Sequence, residues 1–277
     1  KNVSFSITSG TITGIVGRNG AGKTTLLRTM MGILLPDSGD VRYQGKSIYT
    51  NPEVKVELIF IPDSKDLLTN YTPRTFAKLY DLIYPEFDTD IFEKRLEQFN
   101  LPLDKKIRYF SKGMKALFYL VLAFAARTRV VLLDEPTDGL DPIYKKQCLQ
   151  LIVQEVAEQN TSVVISSHRL EELQSICDQV IFLKNGTIEW VSDLMTVQER
   201  YQKLQVAFDK DLPEEIKRNS NVHILTRSGR VYTLLVERKQ PDITEQIKAS
   251  KPILLELLPL SLEDLFVSKL GGEDSVR

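Results

Sequence analysis

The sequence predicts an α/β fold with a small α+β module at its C-terminal end, and three observations lead there. A short apolar strand at residues 11–16 runs into a glycine-rich loop and then a helix over 26–31. β-Branched apolar runs recur at 57–62, 130–134 and 162–166, each the length of a buried strand, with helical patterns between them. From about residue 199 the order becomes strand, helix, strand, strand, helix, strand, the βαββαβ succession of a split-βαβ unit.

In chain order, residues 1–7 place Val3, Phe5 and Ile7 on one face and predict a strand. A chain that opens within a strand carries the expectation of a missing strand before it. Ser9 and Gly10 turn the chain into the next strand. There Gly17, Arg18, Asn19, Gly20, Ala21, Gly22, Lys23, Thr24 and Thr25 fit the pattern G-x-x-x-x-G-K-[ST]. Glycines let backbone N–H groups line a concave anion site without Cβ clashes. The following helix adds the positive end of its dipole. Lys23 supplies a mobile charge for β- and γ-phosphates, and the Thr24 hydroxyl a Mg²⁺ ligand. Strand, loop and helix arrive in the required order, so this is a nucleotide site.

Gly32 stops the first helix, and Pro36, Asp37, Ser38 and Gly39 form a turn before a short strand with Val41 and Tyr43 on one face. After the strand at 57–62 comes a helical insertion at 64–126. Thr72 and Pro73 are an N-cap and a first-turn proline, followed by Phe76, Leu79, Tyr80 and Ile83 at helical spacing until Pro85. A second helix starts near 88–90 with Phe92, Leu96 and Phe99 as its stripe, closed by Asn100, Leu101 and Pro102. Such stripes usually face a core.

Asp134 ends an apolar strand far downstream, where an ATPase needs a second Mg²⁺ contact, and Glu135 beside it is placed to take a proton from attacking water. Pro136, Thr137, Asp138 and Gly139 make a tight turn, and Asp141 with Pro142 caps a helix to about 159. His168 stands just past the strand at 162–166, a candidate for the γ-phosphate. His223 is read as structural. Asn185 and Gly186 between two short strands signal a type I′ hairpin, on which Trp190 is a packing residue. In the C-terminal module the strands are expected at 204–208, 222–226, 230–237 and 253–258, with helices at 213–218 and 243–250. A last amphipathic helix covers 261–269 and ends at Gly271 and Gly272.

Composition narrows the class. With 277 residues, 26% charged and 42% hydrophobic, the chain is long enough for a large domain plus a smaller one. A net charge of −1 gives no global basic field to attract nucleic acid or acidic lipid. Cys148 and Cys177 lack metal-ligand spacing and are expected as buried free thiols in a reducing cytosol. No signal peptide is evident, and the longest apolar run, 116–126, falls well short of the roughly 18 to 20 residues that span a bilayer.

Taken together, these segments resemble the ATP-binding subunit of an ABC transporter. The phosphate loop is followed by Phe110, Ser111, Lys112, Gly113 and Met114 as the signature, then by the Mg²⁺/base strand ending at Asp134 and Glu135. Gly139, Leu140 and Asp141 match the D-loop, and His168 the switch histidine. Order and spacing agree over about residues 1–195. The S-K-G-M signature and the tail Leu262, Glu263, Asp264, Leu265, Phe266 are most similar to ABC-2-type exporters.

The resemblance implies an ABC cassette over 1–198: a mostly parallel core sheet plus an antiparallel β part, with the helical subdomain inserted at about 64–126. Residues 199–277 would form the accessory module, of ferredoxin-like kind. It implies ATP and Mg²⁺ as ligands, with Glu135 and His168 catalytic. Ser111 and Gly113 would face the phosphate loop of a second ATP-binding subunit, with Asp141 along that interface. An integral membrane permease would hold the protein at the cytoplasmic face of the membrane, and no nucleic acid is expected as partner.

Three positions depart from the family's pattern. The usual signature is L-S-G-G-Q, and Lys112 and Met114 stand at its third and fifth places. A switch glutamine usually follows the strand at 57–62, where this chain has Pro62 and Asp63; Asp63 remains a candidate for Mg²⁺ or water. The aromatic that stacks on adenine lies before Lys1 in the family, and Phe5 is better read as core. Two other functions compete with ATP-driven export. One is a soluble ABC-type ATPase acting on nucleic acid or ribosomes; those usually carry two cassettes or a long coiled-coil insertion. The other is a regulatory nucleotide-binding module without turnover, against which Glu135 and His168 argue.

Overall fold

A computed structural model describes residues 1–63, 69–238 and 243–270. Two compact units divide it: Lys1–Arg169 with Ile176–Val191, and Leu170–Ser175 with the chain from Ser192 onward.

In the first unit, β1 (Ile12–Val16) is buried along its whole length and leads through the glycine loop into α1 (Lys23–Met30). Residues 1–8 form no strand, which corrects the expectation for 1–7. Val3, Phe5 and Ile7 instead pack against a core that includes Ile15, Leu27 and Leu183. The alternation there records one apolar face laid on the core, not a hydrogen-bonded ladder. α1 starts at Lys23, earlier than its apolar spacing suggests, because the end of the glycine loop is itself the first turn.

Two-residue strands β2 (Arg42–Tyr43) and β3 (Lys46–Ser47) pair around Gln44 and Gly45, whose φ values of 48° and 80° are those of a type I′ turn. β4 (Leu58–Ile61) follows a 3-10 turn at Pro52–Glu57. The helical insertion begins beyond it; positions 64–68 at its start lie outside the described residues. α2 (Pro73–Ile83) opens as the sequence dictates, with the Thr72 hydroxyl accepting from the Thr75 N–H at 3.3 Å. In α3 (Thr89–Gln98) the Asp88 carboxylate accepts from the Ile91 N–H at 2.9 Å. α4 (Lys112–Ala125) is buried on every side from Ala116 to Ala125, the mark of an interior helix. Phe118 there meets Phe76, Phe92 and Phe110 edge-on.

β5 (Val130–Asp134), α5 (Pro142–Gln159), β6 (Ser162–Ser167), α6 (Leu170–Gln174), β7 (Gln179–Lys184) and β8 (Thr187–Asp193) follow. The main sheet has the order β4-β5-β6-β1-β7-β8. β4, β5, β6, β1 and β7 pair in parallel, so all five end on the same side. Strands of such a sheet are covered on both faces, which is why β4 and the first four residues of β5 read as continuous apolar runs. Asn185 and Gly186, with φ of 50° and 80°, make the hairpin to β8, and Trp190 stacks on Phe182 at 4.9 Å between ring centroids. α3 is tied to α5 by Arg95 and Glu155 at 2.8 Å; burial pushes the Glu155 carboxyl up while Arg95 pulls it down. Both cysteines are buried.

The second unit contains α6, α7 (Leu194–Arg200), β9 (Tyr201–Ala207), α8 (Glu214–Lys217), β10 (Val222–Ser228), β11 (Val231–Glu237), α9 (Ile243–Ala249), β12 (Leu254–Leu258) and α10 (Leu262–Leu270). Its four strands are antiparallel in the order β10-β11-β9-β12. Leu204, Val206, Tyr232, Leu234 and Val236 on one face bury against Ile216 of α8 and Ile243 and Ile247 of α9. Ser261 and Asp264 form a reciprocal capping box at the start of α10, and Lys203 pairs with Asp264 at 2.9 Å. Gly271 and Gly272, expected to end this helix, lie outside the described residues. α6 and α7 carried no clear sequence pattern; both are short helices that depend on tertiary contacts.

Candidate functional site

The sheet register gathers the sequence-predicted residues at one edge. Val16 of β1 is level with Ser167 of β6, Asp134 of β5 with Ser166, and Ile61 of β4 with Leu133. The glycine loop, Glu135, His168 and Asp63 therefore all follow the carboxyl ends of adjacent parallel strands, where open α/β sheets bind ligands.

The loop is shaped by backbone constraints. Gly20 and Gly22 have φ of 83° and 105°, a region costly for other residues. Gly17 is needed for a different reason. It is buried against β7, where a Cβ would run into the Leu183 carbonyl oxygen. The hairpin braces the loop from behind, the Gly186 N–H donating to the Ala21 carbonyl at 3.0 Å. Arg18, Asn19 and Gly20 at the tip are exposed, as is Thr25, while Thr24 is half-buried.

Lys23 lies under this loop with only 6% of its side chain exposed. Its ammonium donates to the Gly17 carbonyl at 2.8 Å and sits 3.1 Å from Glu135 Oε1. Glu135 Oε2 is 2.9 Å from His168 Nδ1. One carboxylate thus joins the loop lysine to the histidine, two groups 145 positions apart in the sequence. Glu135 holds a φ of 46°, a left-handed conformation that costs a non-glycine residue about 1–2 kcal/mol. The backbone is bent so that consecutive acids diverge: Asp134 into the sheet end, Glu135 toward Lys23.

Asp134 is 1% exposed, and the Ser166 hydroxyl donates to its Oδ1 at 2.7 Å while accepting from the Glu135 N–H at 3.0 Å. Ser166 is a supporting residue that patterning along the strand does not single out, since β6 also begins and ends in serine. Asp138 reads from the sequence only as a turn residue, and the fold brings its Oδ1 to 3.9 Å from His168 Nε2. Asp63 is exposed two residues past β4.

The remaining predicted residues group around the start of α4. Ser111 is the N-cap, its hydroxyl accepting from the Met114 N–H at 3.2 Å. Gly113 is buried beneath Tyr144 of α5, whose ring fills the place of a Cβ. Asp141 caps α5 by accepting from the N–H groups of Ile143 and Tyr144 at 3.0 and 3.1 Å. Ser111, Gly113 and Asp141 are thus linked through α4 and α5.

The residues fit the ligands expected of them. Gly17, Gly20 and Gly22 leave a concave loop at a helix N-terminus, the geometry that cradles phosphate. The Thr24 hydroxyl and Asp134 carboxylate are hard oxygen donors. Among the described residues no group of three or more His, Cys, Asp or Glu side chains is arranged to hold a metal. Mg²⁺ is held by one or two protein oxygens together with substrate phosphates, and Thr24 and Asp134 are donors of that kind.

Fold and site together define a phosphate-loop ATPase. The family model described as ABC transporter matches residues 1–138. The ABC transporter ATP-binding protein YtrB of Bacillus subtilis (strain 168) is 39% identical over 273 residues, covering 99% of this chain and 93% of that protein. The bacitracin transport ATP-binding protein BcrA of Bacillus licheniformis is 28% identical, covering 98% of this chain and 92% of its own length. A solved ATP-binding subunit of an ABC transporter superposes with a TM-score of 0.64 at 27% identity, covering 71% of this chain and 84% of that one. The chain belongs to the ABC transporter family, as an ATP-binding subunit that hydrolyses ATP.

Proposed function

We propose that this subunit powers export of a substrate through a separate integral membrane permease, by closing on a second ATP-binding subunit when ATP is bound. The observation that carries the catalytic part is the continuous contact of Lys23, Glu135 and His168 at the carboxyl edge of the parallel sheet. Glu135 acts as general base toward water. His168 orients that carboxylate and reaches toward the γ-phosphate, and Lys23 exchanges its Glu135 contact for phosphate oxygens. Thr24 and Asp134 hold Mg²⁺, with Asp63 as a further candidate. When bound, Mg²⁺ neutralises charge on the β- and γ-phosphates.

Ser111 and Gly113 stand at the start of α4, whose dipole favours an anion; the Ser111 hydroxyl accepts from the Met114 N–H of α4 itself, and Gly113 packs beneath Tyr144 of α5. We assign them to the phosphates held by the other subunit, with Asp141 along the same interface. The C-terminal unit is read as an accessory module. No described helix is long and apolar enough to cross a membrane; in this proposal the subunit sits at the cytoplasmic face through its permease. Transport is supported by the relative named for bacitracin, and the export direction by the S-K-G-M signature and the tail at 262–266.

Two measurements test this. Specific ATPase activity of the purified chain should rise with protein concentration, and full-rate turnover at extreme dilution would refute the two-subunit site. Isolation from native membranes should bring down an integral membrane protein. Recovery with ribosomes or nucleic acid alone would favour the soluble-ATPase reading instead.

A further inference from the structure

We propose that Lys112 is a positioning residue: it restrains Asp138 and so keeps His168 engaged with Glu135. The proposal rests on the roles given above to Glu135 and His168. Lys112 occupies the first position of α4, where a cation faces the positive end of the helix dipole. Its side chain is 60% exposed, yet it turns toward the loop after β5, with Nζ 3.9 Å from Asp138 Oδ2. The same Nζ fills the space that a Cβ on Gly139 would occupy; Gly139 has a φ of 60°, and its bare Cα gives the ammonium its seat. A signature with glycine at position 112 has no side chain to make this contact.

Asp138 is also the neighbour of His168, its Oδ1 3.9 Å from Nε2, while Nδ1 faces Glu135 at 2.9 Å. The imidazole is therefore flanked by two carboxylates. A neutral imidazole has a single N–H to donate. At 3.9 Å Asp138 is beyond hydrogen-bond distance, whereas Glu135 is within it. With Lys112 drawing on its other oxygen, Asp138 stays back and the proton serves Glu135. Without Lys112, Asp138 is free to close on Nε2, take that donor, and turn Nδ1 into an acceptor facing an acceptor. The effect on Glu135 is indirect, through the tautomer and orientation of His168.

The test uses the full chain and steady-state ATPase kinetics. Exposed ion pairs of this kind are worth about a two- to five-fold effect. Lys112→Gly should lower kcat by about that factor with KM for ATP unchanged, and Lys112→Arg should stay within about two-fold of the parent. The deciding variant adds Asp138→Asn to Lys112→Gly: removing the competing carboxylate should restore most of the lost kcat. A rise in KM in Lys112→Gly, or losses that multiply in the double variant, would overturn the restraint and place Lys112 directly on a phosphate. Glu135→Gln serves as the parallel control. If it retains turnover, the catalytic assignment falls and this inference with it; if it abolishes turnover while Asp138→Asn gives no rescue, only the inference falls.

Discussion

Gly17→Ala perturbs the site through one atom. The new Cβ would fall about 1 Å inside the 3.4 Å at which ordinary contact with the Leu183 carbonyl oxygen begins. That oxygen belongs to the backbone of β7, beside β1 in a sheet with parallel neighbours, so it has little freedom to retreat. The loop must move instead, carrying the Gly17 carbonyl that accepts from Lys23 at 2.8 Å. Overpacking of this kind costs about 1–3 kcal/mol of stability. A displacement near 1 Å at a reacting group costs on the order of 10² in rate. Gly20→Ala is the internal comparison: nothing lies within 4 Å of its Cβ, so only the left-handed backbone at φ 83° is strained, at about 1–2 kcal/mol. Thermal unfolding, titration with a fluorescent ATP analogue and steady-state kcat/KM measure the pair. A Gly17→Ala protein with parental melting temperature and kcat/KM would refute the steric argument.

Three further outcomes follow from the same contacts. Glu135→Gln should retain ATP binding but lose about 10²–10⁴ in turnover, measured by equilibrium binding and single-turnover hydrolysis; an unchanged rate would remove Glu135 as the base. Gly113→Ala drives a methyl into the Tyr144 ring and should cost about 1–3 kcal/mol in denaturant unfolding, with Tyr144→Ala in the same chain recovering part of it. Asp88→Ala removes the cap of α3 and should cost about 1 kcal/mol near neutral pH. The Ile91 N–H foremost, and then Arg127, hold the Asp88 carboxyl below the usual range. Its contribution is therefore complete above the unfolded value of about 3.9 and fades as pH falls through the lower folded value. Stability curves of the parent and variant should converge in acid, and a constant gap down to strongly acid pH would contradict the assignment.

Much of this fold is legible locally. Caps such as Thr72, Asp88 and Asp141, and the Asn185–Gly186 turn, act over three or four residues, so short spacings suffice to find them. Strands buried on both faces announce themselves as continuous apolar runs. The segment at 1–7 misled because alternation reports a buried face, not a partner for its backbone groups; Val3, Phe5 and Ile7 meet the first, and no ladder forms there. Helices α6 and α7, of five and seven residues, are too short to show a period.

The sequence by itself determined the phosphate loop, since its residues are contiguous and Gly20, Gly22, Lys23 and Thr24 answer to local geometry or charge, while Gly17 answers to the approach of β7. It also marked Asp134, Glu135 and His168 as polar residues closing buried strands. What joins them was decided by the tertiary structure. The parallel order β5-β6-β1 is a matter of long-range pairing, and only that order brings Lys23 within 3.1 Å of Glu135 and Glu135 within 2.9 Å of His168. The roles of Ser166, Asp138 and Tyr144 also emerge only there, because contacts between separate elements leave no mark in the spacing of residues along any one of them.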